Sequence, residues 1–148
     1  MRNLLYAVGG YNGCERLATV EVFDPFKKIW SQVSSMHFRR RYLKPSKLLY
    51  FCLKKKRQFK NDVKFFSAVG AAPLNDKLYV CGGFDGIRSL NTVECYDPDK
   101  DCWTSVTSMD KHRSAGGVLA FNGYLYAIGG HDGLTIFDLV LFFQIFFF

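Results

Sequence analysis

The 148 residues are enough for one ordinary domain, and with 49% of them apolar the chain can bury a core, which excludes a disordered segment. The net charge of +7 raises nucleic-acid or acidic-membrane binding, a question that only the location of the charge decides. Five cysteines, Cys14, Cys52, Cys81, Cys95 and Cys102, with no C-x-x-C pair and no leading apolar signal segment, favour reduced thiols in the cytoplasm, and no run reaches the roughly 18 apolar residues of a membrane helix.

The first element is the apolar run in "LYAVGGYNG", Leu5 to Gly13, a phrase that returns as "LYVCGGFDG" at Leu78 to Gly86 and as "LYAIGGHDG" at Leu125 to Gly133. Apolar at successive positions, each copy reads as a strand of a sheet covered on both faces. The pairs Gly9-Gly10, Gly82-Gly83 and Gly129-Gly130 end it where positive φ or close backbone approach is needed. Next comes "ATVEVFDP", a partly alternating strand stopped at Asp-Pro, and then "KKIWSQVSSM". Trp30 and its repeat Trp103, each five residues beyond a proline, are expected to fill the gap between neighbouring sheets.

Gly82 lies 73 residues after Gly9 and 47 before Gly129. The longer shift superposes Val20-Glu21 on Val93-Glu94, Asp24-Pro25 on Asp97-Pro98, Trp30 on Trp103 and Arg40 on Arg113; the shorter one superposes Ser67-Ala68 on Ser114-Ala115. The 26-residue excess is therefore an insertion at residues 41–66. It holds nine Lys or Arg and one acid, a net of +8 that leaves −1 for the rest of the chain. As a functional segment it reads as a partner-binding arm. A second reading is a basic arm for anionic lipid or nucleic acid, with Lys54 to Arg57 supplying charge and Tyr50, Phe51 and Phe59 inserting or stacking. As a surface loop it is simply solvated. The favoured reading is a translated intron, because its edges are clean and it carries none of the repeat's punctuation.

Residues 67–109 hold one complete unit of four strands, with Asn75-Asp76 turning the first into the second. Residues 110–138 open another, in which Asn122-Gly123 between two apolar runs is a strong hairpin signal. The tail 139–148 departs from the repeat after Val140 and ends in phenylalanines, as read-through into a second intron would.

A period near 50 points to propeller blades. The double glycine, the Glu-x-(Phe/Tyr)-Asp-Pro turn and the later tryptophan resemble the kelch repeat over residues 3–40 and 67 to 138. "SLNTVECYDPDKDCWTSVTSM" with "HRSAGGV" is similar to the kelch domains of BTB-kelch proteins in particular. The resemblance implies an all-β, partial kelch β-propeller with one complete four-stranded blade (67–109) flanked by two incomplete ones (1–40 and 110–138). In that family an upstream BTB domain holds a cullin ubiquitin ligase and the propeller captures its protein substrate. No BTB segment is recognised in this sequence, so cullin binding by this chain is not expected, and the chain reads as a truncated fragment. The competing class is a structural kelch protein that binds actin. An incomplete ring exposes two sheet faces, which predicts aggregation.

The resemblance also implies that partners meet the loops after strand four and after strand two. Here those loops give Arg113 and Ser114 on one side and Tyr11-Asn12, Phe84-Asp85 and His131-Asp132 on the other. Arginine offers a forked donor for carboxylates and loop aromatics offer flat contact area; the alternative is that each aspartate caps its own turn and each arginine is solvated.

No catalytic chemistry is expected. His37, His112 and His131 have no partners at zinc-site spacing, and Cys95 to Cys102 is the wrong interval for a zinc knuckle. The glycine pairs form neither G-x-G-x-x-G nor a P-loop, and Asp24 and Asp97 are duplicated turn residues. Neither a cofactor nor a metal is implied, and nucleic-acid binding is disfavoured outside the insertion.

Overall fold

The computed structural model describes residues 4–11, 14–40, 50–53, 70–138 and 140–143. Among them all regular structure is strand: β1 Leu4–Tyr11, β2 Arg16–Asp24, β3 Ile29–Val33, β4 Tyr50–Leu53, β5 Gly70–Leu74, β6 Lys77–Cys81, β7 Val93–Asp97, β8 Cys102–Val106, β9 Gly117–Phe121, β10 Tyr124–Ile128 and β11 Val140–Phe143. Three antiparallel sheets form, in the orders β3-β2-β1-β4, β5-β6-β7-β8 and β11-β10-β9. They have the antiparallel, all-β arrangement that the resemblance implied, and none of the described residues forms a helix long and apolar enough to cross a membrane.

The local signals act as expected. Asn75 and Asp76 both take positive φ (51° and 60°), as do Asn122 and Gly123 (50° and 82°), the conformation that a two-residue hairpin turn requires. At each Asp-Pro turn the aspartate caps the residues just beyond the proline: Asp24 Oδ1 accepts from the Phe26 amide at 2.9 Å, and Asp97 Oδ1 from the Asp99 amide at 3.1 Å.

Two strands lie outside the repeat's own pattern. The insertion contributes β4, which pairs with β1 from Leu4↔Leu53 to Ala7↔Tyr50 and so occupies the place that β5 holds beside β6. The tail contributes β11, paired Ile128↔Val140 through Leu125↔Phe143 in the register of Cys81↔Val93 through Leu78↔Tyr96. Strand pairing is made by backbone groups, so an open edge accepts segments whose side chains no longer carry the repeat. The other readings of residues 41–66 lie, apart from β4, outside the described residues.

The core is two clusters, one in each gap between sheets. Tyr6, Val8 and Val20 of the first sheet meet Ala71, Leu78, Val80, Tyr96 and Trp103 of the second. Tyr79, Cys81, Val93 and Cys95 on the second sheet's other side meet Val118, Leu125 and Ala127 of the third. Trp103 does what its spacing implied: it is 6% exposed, lies 5.1 Å from the Tyr96 ring and donates from Nε1 to the Ser34 carbonyl at 2.8 Å. Trp30 does not. Stacked on Phe23 at 5.2 Å, it is 41% exposed, because among the described residues no sheet covers that side of the first blade.

The glycine pairs are joints. Gly82 has φ +63°, and a Cβ there would stand 2.3 Å from the Arg113 carbonyl oxygen, so the segment after β8 passes where a side chain would be.

Candidate partner-binding face

The candidate face is built where the loop after strand two meets the segment after strand four. In the second blade the first loop is closed by backbone bonds from Gly82 N to Thr92 O (2.9 Å) and Leu90 N to Gly83 O (2.8 Å). Inside it, Asp85 Oδ1 accepts from the amides of Ile87 (2.7 Å) and Arg88 (2.9 Å). The third blade repeats this 47 residues on: Asp132 Oδ1 accepts from Leu134 (2.9 Å) and Thr135 (2.7 Å), and Phe137 N donates to Gly130 O at 2.8 Å. The amides of Thr135 and Leu134 hold the Asp132 carboxyl below its ordinary value. At Asp85 burial pushes the other way, but the Arg88 and Ile87 amides win and the carboxyl is again lowered. Both aspartates are therefore turn caps.

The segment after strand four laces two blades together. Arg113 N donates to Leu90 O and Gly83 N to Arg113 O, each at 2.8 Å, while Ser114 and His131 exchange backbone bonds of 2.8 and 2.9 Å across to the third blade. Arg113 and Ser114 are consequently buried, 5% and 0% exposed. This corrects the reading of Arg113 as a forked donor at the rim. Its Nη1 donates to Gly129 O at 2.6 Å and its guanidinium lies 4.6 Å from the Phe137 ring centroid. Arg40 shows the same device completed: fully buried, it donates to Glu94 Oε2 from Nη2 (2.7 Å) and Nε (3.2 Å), to the Gly82 carbonyl, and to Thr92 O (3.2 Å) and Oγ1 (3.0 Å). In the sequence, the 47-residue shift carries Thr92 and Glu94 onto Leu139 and Leu141, which have no acceptor side chain. Among the described residues, Arg113 Nε and Ser114 Oγ are buried without a hydrogen-bond partner, and burial lowers the Arg113 guanidinium pKa.

Of the remaining expected contact residues, Phe84 and His131 are half-buried and held by backbone bridges, Phe84 to Ser89 and His131 to Ser114 and Ile136. Tyr11 ends β1, and Asn12 lies outside the described residues. The residues that do face solvent were not singled out by the sequence pattern. Ile87 is 90% exposed, Leu134 99% and Ile136 86%. Ile87 and Leu134 are 47 residues apart, the blade repeat, and the corresponding position of the first blade is the exposed Cys14. Their signal was available: an aliphatic residue recurring inside an otherwise polar loop. Aliphatic side chains presented at the apices of rigid, capped loops give contact area at little ordering cost.

Stacked blades with a loop face of this kind define a class of repeat proteins that work by binding other proteins. The kelch motif model matches residues 1–37, 66–110 and 112–140, and the chain belongs to the kelch-repeat family. It is 34% identical over 109 residues to an F-box/kelch-repeat protein of Arabidopsis thaliana, covering 71% of this chain and 18% of that protein. It is 37% identical over 109 residues to Kelch-like protein 4 of Homo sapiens (73% and 12%) and 31% identical over 118 residues to a kelch repeat and BTB domain-containing protein of Caenorhabditis elegans (80% and 17%). The chain thus spans less than a fifth of the length of these relatives.

Proposed function

We propose that this protein-interaction module is the substrate-recognition part of a cullin-RING ubiquitin ligase adaptor acting in the cytoplasm, and that it does no catalysis. The observation that carries the reading is the pair Ile87 and Leu134, almost wholly exposed on two loops of the same capped geometry. The kinship with BTB-kelch proteins supports the adaptor role specifically. A protein substrate would seat on these apices, with Arg88, Lys111 and His112 exposed around them.

The test is quantitative affinity capture with the chain and with the Ile87→Asp, Leu134→Asp double variant. A set of proteins lost at least about tenfold from the variant, and longer-lived when the chain's gene is silenced, is the expected result; tenfold corresponds to about 1.4 kcal/mol. Filament co-sedimentation with actin, unchanged in the variant, would favour the structural alternative. Identical capture by both chains overturns the assignment of this face.

A further inference from the structure

Two cysteines of the second blade stand on one face of the same hairpin. In the β7–β8 register Cys95 is opposite Thr104 and Asp97 is opposite Cys102, which makes Cys95 and Cys102 diagonal neighbours on adjacent strands. Cys95 lies in the second gap between sheets and Trp103 in the first, so Cys102, next to Trp103 along the strand, faces the second gap with Cys95. Both are free thiols; Cys95 is buried, whereas Cys102 keeps part of its surface in solvent. Burial raises the Cys95 thiol pKa and the Cys102 thiol adds to the rise, which sets the two within electrostatic reach of each other.

Diagonal neighbours have Cα atoms about 7–8 Å apart and a disulfide spans about 4.4–6.8 Å, so a bridge here requires β8 to move by roughly an ångström. β8 is free to do so on its outer side: it ends the order β5-β6-β7-β8 and, among the described residues, pairs with β7 alone. The start of β8 is held instead by the first blade. Asp101 Oδ1 accepts from the Ser34 amide at 2.9 Å, the Asp101 carbonyl accepts from the Ser34 hydroxyl at 2.6 Å, and Trp103 Nε1 donates to the Ser34 carbonyl at 2.8 Å. Cys102 sits between Asp101 and Trp103, and drawing it toward Cys95 pulls against both of these grips on Ser34.

We propose that Cys95 and Cys102 are a reversible redox latch, bridged by a peroxide and, when bridged, releasing the first blade at Ser34. The partly exposed Cys102 sulfur attacks hydrogen peroxide, takes one oxygen as the O–O bond breaks and becomes a sulfenic acid, with release of water. The Cys95 thiol then attacks that sulfur, forming the S–S bond and expelling a second water. In sum two thiols lose two electrons and two protons, and one peroxide becomes two waters. The strain of the diagonal span makes the bond easy to reduce, so glutathione restores both thiols.

The test treats the native 148-residue chain with hydrogen peroxide, then alkylates it and digests it with trypsin, which cuts after Lys100, between the two cysteines. The expected product is a pair of peptides joined through Cys95 and Cys102, with Cys81 still reduced, that comes apart on treatment with glutathione. Hydrogen exchange at the Ser34 amide is expected to rise at least about tenfold in the bridged chain and to fall back on reduction. The peroxide-treated Cys102→Ser chain is expected to keep the exchange rate of the untreated one, which separates bridging from oxidation of methionine. Peptides that stay separate, Cys102 joined to a cysteine other than Cys95, unchanged exchange at Ser34 in the bridged chain, or an equal rise in Cys102→Ser overturns the proposal.

Discussion

Arg40 and Glu94, 54 residues apart in sequence and each without exposed side-chain surface, close a 2.7 Å ion pair across the first gap between sheets. The pair is hydrogen-bonded on all sides: the remaining guanidinium hydrogens go to Gly82 and Thr92, and the second carboxylate oxygen takes the His37 amide at 2.7 Å and Nδ1 at 2.9 Å. Removing one partner leaves a charge buried and uncompensated. Arg40→Ala and Glu94→Ala are each expected to cost about 3–5 kcal/mol, read as a fall in the urea midpoint. A double replacement with apolar residues should recover much of the loss.

Arg113 offers the reverse experiment. Leu141 pairs with Ala127 in the register in which Glu94 pairs with Val80, so Leu141→Glu supplies the missing carboxylate. The expected gain is about 1–3 kcal/mol in the native chain and none in an Arg113→Met background, a double-mutant cycle that isolates the pair. Equal effects in both backgrounds would show that the new carboxylate does not reach the arginine.

Gly82→Ala and Gly123→Ala separate strain from collision. Both glycines have positive φ, but a Cβ at Gly123 meets nothing within 4 Å whereas one at Gly82 meets the Arg113 carbonyl. Gly123→Ala should cost about 1–2 kcal/mol in thermal melts, and Gly82→Ala clearly more, because backbone must shift as well.

Acid should loosen the first gap. The Ser34 amide, then the Tyr96 hydroxyl, hold the Asp101 carboxyl below its ordinary value, at 2.9 and 2.7 Å. A depressed folded-state pKa means that this contribution is present above the unfolded value, about 3.9, and is lost as pH falls through the folded one. Asp101→Asn should therefore flatten the stability profile below about pH 4 and lower its plateau at neutral pH.

The cysteines give a labelling probe of opening at the second gap between sheets. Burial pushes the Cys81 thiol up to about 12, and Cys95 is raised by the same cause, whereas Cys14 is exposed. Alkylation of the native chain at pH 8 should modify Cys14 promptly and Cys81 only at the rate at which the third sheet leaves the second, as peptide mass mapping would show.

The repeat arithmetic made the strands, the hairpins and the glycine joints legible, because these depend on residues near in sequence. Arg113 was misread because its acceptor, Gly129, belongs to the following blade, and nothing local to "HRSAGG" says that the side chain turns inward. The counterpart Arg40 with Glu94, Thr92 and Gly82 could have suggested it, since all four recur at the longer shift, while at the shorter one the glycine is kept and leucine replaces the threonine and the glutamate. Trp30 was misread for a related reason: spacing fixes the face on which a tryptophan stands, while burial depends on what packs against that face. The strand formed by Tyr50–Leu53 left no pattern to read, because an edge recruits backbone.

Because each arginine grips the blade after its own, cohesion runs one way along the chain, and it weakens along the way. Among the described residues Arg40 grips the second blade through a carboxylate, a threonine and a carbonyl, whereas Arg113 grips the third through one carbonyl and an aromatic ring, beside the backbone bonds of Ser114 and His131. The molecule should unravel from its C-terminal sheet inward, shedding that sheet while the Arg40 grip still holds the other two together.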